Sequence, residues 1–170
     1  MSEPTLIWCH GSLSEPWGKK SKALAETAKS CGLTMEALDF QDLENADERA
    51  ERLVKRLKEL DGPIILAGSS MGGYVAAAAA KQVKTAGLFL LAPAFYFQGY
   101  ALHVFTNLPE KVTVIHGWAD DVVPVDNSLR FAKTHKADLH VFNDNHRLEN
   151  STDRLCAIFN RFLTTVTDQG

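Results

Sequence analysis

The sequence predicts an α/β fold, in which a mostly parallel sheet of about six strands lies between two layers of helices. Short runs of apolar and β-branched residues alternate with longer stretches whose apolar residues recur every three or four positions. The short runs lack the strict alternation of strands with one face in water, which indicates strands buried on both faces. Helical stretches between them are typical of the crossovers in a three-layer α/β/α sandwich.

The first half of the chain supplies three of the predicted strands. A helix with Ala, Leu and Lys spacing ends at Gly32, and Gly62-Pro63 ends a second, strongly amphipathic helix. The many Glu, Lys and Arg side chains of the second helix are expected to form a solvated face. The predicted elements are a strand at Thr5–Cys9, a helix at 21–31, a strand at 34–40, a helix at 46–60 and a strand at 64–67.

The second half supplies the other three strands. Its first helix is rich in alanine, whose small side chain permits close packing on a sheet. The segment 95–111 has no clear element and carries several aromatic residues. The predicted elements are a helix at 74–82, strands at 87–92 and 112–116, a helix at 127–136, a strand at 138–142 and a closing helix at 152–166.

Length and composition favour one soluble domain over residues 1–170. Hydrophobic residues make up 45% and charged residues 23% of the chain, and the net charge of −3 favours neither nucleic acid nor an anionic membrane surface. The N-terminus lacks the pattern of a secretion signal, and no apolar stretch is long enough to span a bilayer. Three widely spaced cysteines (Cys9, Cys31 and Cys156) indicate neither a disulfide framework nor a zinc site. We therefore expect a cytoplasmic protein.

The strongest motif is Gly68-Ser69-Ser70-Met71-Gly72, which follows an apolar strand and precedes a helix. This is the context of the G-x-S-x-G nucleophile elbow, in which the central serine occupies a sharp, strained turn that exposes its hydroxyl. Side chains at the two flanking glycines would collide with the backbone, so the spacing has a physical reason. A plain glycine-rich packing turn is the alternative. A phosphate-binding loop is disfavoured because no Gly-Lys-Ser/Thr follows.

Such a serine needs a base, and six histidines are available. In enzymes with this elbow the order along the chain is Ser, then Asp or Glu, then His. That order excludes His10 and, because an acid must intervene, His103 and His116. His135 and His140 fall within a predicted helix and a predicted strand. His146 lies in the loop after the last predicted strand, where sites form in parallel sheets, so His146 is the predicted base.

Two adjacent acids, Asp120 and Asp121, follow the fifth predicted strand and compete for the third position of the triad. Asp144 is only two residues from His146, which is too close to orient the ring well, and a role in a turn fits it better.

At this point the chain resembles the α/β-hydrolase superfamily, which often carries His-Gly-x-x-Asp-x-x-Val-Pro after this strand. The matching residues here are His116, Gly117, Asp120, Val123 and Pro124. The resemblance implies that Asp120 is the triad acid and that Asp121 is a solvated neighbour. It covers nearly the whole chain, with four motifs in the family order. Many family members are longer and carry a cap, so this chain is similar to the minimal, capless esterase-like members.

The resemblance extends to His10-Gly11-Ser12, which matches the family's oxyanion loop after the first strand. It implies that backbone N–H groups of Ser12 and Met71 form the oxyanion hole, with Leu13 as the alternative to Ser12. His10 is expected to orient the loop. The candidates for a substrate pocket are Leu13, Trp17, Phe95, Tyr96 and Trp118. For Trp17 and for the aromatic residues at 95–105, packing in the core is the alternative.

The resemblance implies a serine hydrolase that acts on a small carboxylic ester or thioester through an acyl-enzyme. Neither a metal nor an organic cofactor is expected. One alternative keeps the fold but makes the protein a ligand-binding or signalling protein with little turnover. Peptide hydrolysis and cofactor-free perhydrolysis are alternatives at the same site. The oligomeric state stays open.

Overall fold

A computed structural model describes residues 2–168, and its elements alternate as the sequence predicts. Among these residues, none of the helices combines the length and the apolar character needed to cross a membrane. In chain order the elements are β1 (Thr5–Cys9), α1 (Lys19–Ser30), β2 (Met35–Leu38), α2 (Ala46–Leu57), β3 (Ile64–Ser69), α3 (Met71–Ala80), β4 (Gly87–Leu91), β5 (Lys111–Gly117), α4 (Val125–His135), β6 (Asp138–Phe142) and α5 (Thr152–Thr167).

The strands form one six-stranded sheet in the order β2-β1-β3-β4-β5-β6, and every neighbouring pair is parallel. Helices α2, α3 and α4 pack on one face, around a core that includes Leu53, Tyr74 and Phe131. Helices α1 and α5 cover the other face, around Leu24 and Phe159. The predicted three-layer sandwich with a parallel sheet is therefore confirmed.

The order of the strands creates a crevice at one end of the sheet. The chain leaves β1 toward the face covered by α1, whereas it leaves β3 toward the opposite face, which α3 covers. Because β1 and β3 are neighbours with Cys9 beside Gly68, their two connections diverge from adjacent strand ends. Such a switch point is where ligands bind in open α/β sheets.

Helix α3 begins at Met71, three residues before the predicted start. Ser70 has a φ of 55° and a ψ of −120°, and this single residue turns the chain from the strand directly into the helix. All ten residues of α3 are buried, which explains its small side chains. The prediction missed the first turn because Gly72 and Gly73 are poor helix formers, whereas close packing on the sheet requires small residues there.

The segment between β4 and β5 contains neither a helix nor a strand. Its aromatic residues turn inward: Phe95 and Phe105 are buried and pack against Phe131 of α4, with ring centroids 4.2 and 5.6 Å away. The ring of Tyr100 packs against that of Tyr74 of α3 in a tilted arrangement, with the centroids 4.6 Å apart. The segment is thus an extension of the core on the α3 and α4 face.

Replacement of Gly72 by alanine is expected to lower the free energy of unfolding by about 3 kcal/mol. A Cβ at Gly72 would overlap the backbone carbonyl of Cys9, and a strand inside the sheet cannot move aside easily. Urea unfolding measures the change. Gly18→Ala is the matched control, because a Cβ there meets nothing within 4 Å. Equal unfolding midpoints for the two variants would contradict the packing argument.

Candidate active site

Ser70 stands at the tip of the turn between β3 and α3, at the crevice. The turn is held from three directions. The Ser70 N–H donates to the Leu91 carbonyl at 2.9 Å, and the Ser70 carbonyl accepts from Gly73 and Ala94 at 3.0 and 2.9 Å. A positive φ is costly for a residue with a side chain, so these bonds maintain a strained geometry that exposes the hydroxyl.

Ser70, His146 and Asp120 come together from three different strand ends. His146 Nδ1 lies 2.7 Å from Asp120 Oδ2, and His146 Nε2 lies 3.1 Å from Ser70 Oγ. A carboxylate only accepts hydrogen bonds, so Nδ1 carries the proton and Nε2 presents its lone pair to the serine hydroxyl. The Asp120 side chain is fully buried, while 18% of the His146 side chain is exposed. The arrangement can move a proton from the hydroxyl to the imidazole.

Three hydrogen-bond donors converge on the Asp120 carboxylate, and the ring of His116 lies beside them. The backbone N–H groups of Val122 and Val123 donate to Oδ1 at 2.8 and 2.7 Å. Oδ2 accepts from His146 and also lies 3.1 Å from Nε2 of the buried His116. Together these donors fix the orientation of the carboxylate.

His116 is held as a neutral donor. Its Nε2 also bonds the Val123 carbonyl at 2.9 Å, so Nε2 carries the proton, and Nδ1 accepts from the Ser128 hydroxyl at 2.7 Å. Burial lowers the pKa of His116, which favours this neutral form. The order of Ser, Asp and His along the chain excluded His116 as the base. The sequence analysis therefore did not predict that His116 lies next to Asp120.

The other two acid candidates do not reach the imidazole. Asp121 is exposed. Asp144 is buried but accepts from the Ser151 hydroxyl at 2.6 Å and from the backbone of Asn145 and Asn150 at 2.7 and 3.0 Å. Asp144 thus caps the loop that carries His146.

The loop after β1 is held by two buried side chains. His10 accepts from the Phe40 N–H at 2.9 Å through Nε2, and Nδ1 donates to the Gly11 carbonyl at 2.8 Å. Arg49 of α2 donates to the carbonyls of Gly11 and Ser12 at 3.2 and 3.1 Å. The expectation that all charged residues of this helix are solvated is wrong for Arg49, because its buried guanidinium donates to the carbonyls of this loop.

The backbone N–H groups predicted to form the oxyanion hole are free to bind a ligand. Among residues 2–168, those of Ser12, Leu13 and Met71 have no acceptor within hydrogen-bonding distance. Met71 opens α3, so the positive end of the helix dipole lies beside its N–H. The choice between Ser12 and Leu13 stays open.

A cleft of about 680 Å³ opens over Ser70 and His146. Its walls come from the loop after β1, the first turn of α1 and the loop that carries His146. Of the predicted pocket residues, Leu13 lines the cleft, whereas Trp17, Tyr96 and Trp118 are not part of its wall. The prediction that Phe95 lines the pocket is wrong. Phe95 lies fully buried in the core, because the segment after β4 folds away from the cleft.

The wall also contains Lys20, Val122 and Arg147, which the sequence analysis missed. Their positions depend on how the loops fold, and no local pattern marks them. For metal binding, the described part of the chain offers no cluster of three or more His, Cys, Asp or Glu side chains.

Comparisons with known proteins agree with the fold. Residues 6–163 match the model of the alpha/beta hydrolase family. A protein from Xanthomonas campestris pv. campestris, assigned to the alpha/beta hydrolase superfamily, is 30% identical; its structure superposes with a TM-score of 0.88, covering 95% of this chain and 98% of that one. The Pyrococcus furiosus esterase Pf2001 shares the fold with a TM-score of 0.81 at 20% identity, over 96% and 83% of the two chains.

Among curated proteins, the mitochondrial palmitoyl-protein thioesterase ABHD10 of Rattus norvegicus is 25% identical, over 88% of this chain and 71% of its own length. A curated protein similar to this chain is thus named as a thioesterase, and a protein that shares its fold is named as an esterase. The match to the family model spans most of the sequence. The chain belongs to the alpha/beta hydrolase family.

Proposed function

We propose that this protein is a serine hydrolase that cleaves a small carboxylic ester or thioester, with Ser70 as nucleophile, His146 as base and Asp120 as the acid that orients it. The observation that carries the proposal is the continuous chain of hydrogen bonds from Ser70 through His146 to the buried Asp120. Esterase and thioesterase names among the relatives support the same class of substrate.

In the proposed mechanism, His146 Nε2 removes the Ser70 proton as Oγ attacks the carbonyl carbon of the substrate. The imidazolium that forms keeps its Nδ1–H bond to Asp120, whose negative charge stabilises it. His146 then gives the proton to the departing alcohol or thiol, and an acyl-enzyme remains on Ser70. A water molecule, deprotonated by His146, attacks the acyl-enzyme. His146 then returns this proton to Ser70 Oγ as the bond to the acyl carbon breaks and the carboxylic acid leaves.

The oxyanion of each tetrahedral intermediate would be bound by the N–H groups of Met71 and of Ser12 or Leu13. Each such donor typically contributes about 3 kcal/mol to lowering the barrier. The bonds from His10 and Arg49 to the loop carbonyls support this role, because they fix the loop before substrate arrives. No step requires a metal or an organic cofactor.

We also propose a reducing compartment such as the cytoplasm. All three cysteines are free thiols, and Cys9 is buried in the sheet. The relative ABHD10 is named as mitochondrial, so fractionation of the source cells is the direct test.

A fluorophosphonate probe tests the proposed nucleophile. We expect one adduct per chain, mapped by mass spectrometry to Ser70, because only a serine with a base at its hydroxyl reacts quickly. Ser69→Ala is the matched control and should keep the label, whereas His146→Ala should lose it. A label on Ser69 would mean that Ser69 is the nucleophile and that the elbow is assigned one residue too late. Absence of labelling in folded protein would favour the ligand-binding alternative.

A further inference from the structure

Lys20 brings a positive charge into the cleft beside Ser70. It belongs to the first turn of α1, is partly buried and forms part of the cleft wall. Its ammonium donates to Ser69 Oγ at 3.3 Å and to the Arg147 carbonyl at 3.1 Å. Both acceptors are neutral, and an ammonium has three N–H bonds. One donor and the whole charge are therefore left for a ligand.

A second cation, Arg147, lines the same wall. Among residues 2–168, its guanidinium has no hydrogen-bond acceptor, and neither Arg147 nor Lys20 forms an ion pair within 4 Å. Burial and the charge of Arg147 lower the pKa of Lys20 to about 8, against a smaller opposing influence of Asp144. The two cations thus repel each other across the wall of the cleft.

Among residues 2–168, the carboxylates nearby form no ion pair with Lys20 or Arg147 within 4 Å. Asp144 is bonded to Ser151 and to the backbone of its own loop. Glu149 accepts from the Asn145 side chain at 2.8 Å, and Glu15 is exposed. A partly buried ammonium without a counter-ion is unfavourable, and an anion between Lys20 and Arg147 would relieve both the desolvation and the repulsion.

We propose that Lys20 and Arg147 form a subsite for an anionic group of the substrate, so that the enzyme prefers esters or thioesters that carry a carboxylate besides the scissile bond. The proposal rests on the proposed hydrolase function, because it places the anion in the cleft over Ser70. The carboxylate can belong to the acyl part or to the leaving group, and Lys20 and Arg147 would recognise it in the same way.

The test compares isosteric pairs of esters. For the acyl side, the 4-nitrophenyl monoester of succinate is paired with 4-nitrophenyl 4-methylpentanoate, in which an isopropyl group replaces the carboxylate. For the leaving group, the butyrate ester of 4-hydroxybenzoate is paired with that of 4-hydroxybenzamide. We expect wild-type kcat/KM to favour the anionic member of one pair by about tenfold, mainly through KM.

Lys20→Met should remove most of that preference, and Lys20→Arg should retain it. Lys22→Met is the matched control, since Lys22 is exposed on the same helix and outside the cleft wall. The ratio within each pair separates charge recognition from a structural role, because loss of the bonds to Ser69 and Arg147 would slow both members equally. The wild-type preference should also fall between pH 7 and 9.5, as Lys20 loses its proton, but not in Lys20→Arg.

Equal ratios in wild type and Lys20→Met for both pairs would overturn the subsite, even if both esters are hydrolysed. Failure of the hydrolase function looks different: neither ester would turn over and the fluorophosphonate would not label Ser70. In that case calorimetry of the intact esters with the unreactive protein decides the subsite. Tighter binding of the anionic member, lost in Lys20→Met, supports it, and equal binding overturns it.

Discussion

Ser70→Ala is expected to lower kcat/KM for a simple ester by a factor of about 10⁴ to 10⁶. The reason is the loss of the one atom that attacks the carbonyl, since the residual rate would come only from binding and the oxyanion donors. Stability should change by less than about 1 kcal/mol, because among the described residues the Ser70 hydroxyl forms a hydrogen bond only with His146, at 3.1 Å. Hydrolysis of 4-nitrophenyl butyrate and urea unfolding measure the two quantities.

Two further variants sharpen this result. Ser30→Ala, at the exposed end of α1, should behave as wild type. The double variant Ser70→Ala/His146→Ala should be no slower than either single variant, because residues that act as a unit are not additive. Activity of Ser70→Ala within about tenfold of wild type would exclude Ser70 as the nucleophile.

Asp120→Asn is expected to lower kcat by about 10⁴ and the free energy of unfolding by about 1 to 3 kcal/mol. The neutral amide would no longer stabilise the imidazolium. In addition, its NH₂ group must face donors, because Oδ1 accepts from Val122 and Val123, and Oδ2 accepts from His146 with His116 Nε2 at 3.1 Å. In either orientation of the amide, its NH₂ group faces a buried N–H donor, and two donors cannot form a hydrogen bond with each other.

Asp121→Asn is the matched control, since the same chemical change is made one residue away on an exposed side chain. We expect its kcat and unfolding midpoint to equal those of wild type. Steady-state kinetics and urea unfolding of the two variants provide the comparison. If Asp121→Asn were the more damaging change, the assignment of the acid would have to move by one residue.

The fold was predictable because its signals are local. Each strand is an apolar run of a few residues, and each helix repeats its apolar residues at the helical period. The elbow at Ser70 was predictable for the same reason, since a strand, a glycine-serine turn and a helix follow one another directly. His146 and Asp120 needed more, namely the rule that parallel strands end at one edge of the sheet and the resemblance to a family.

The residues that the prediction missed are defined by contacts distant in sequence. Arg49 lies on a helix whose charged residues look alike, and only the fold turns it toward carbonyls 37 and 38 positions away. Lys20 meets Arg147 across 127 positions. Phe95 was misassigned because an aromatic residue in an irregular segment suits a core and a pocket equally well; packing against Phe131 decided it.

The cleft wall is built almost entirely from two loops and one helical turn, whereas Ser70, His146 and Asp120 are anchored at strand ends. Substitutions in the cleft wall are therefore expected to have little effect on the stability of the sheet and its helices. A lineage with this architecture could acquire new substrates by exchanging residues such as Leu13, Val122 or Arg147 while the chemistry is inherited unchanged. The same separation marks these positions as the first to randomise when a catalyst with a different substrate range is sought by directed evolution.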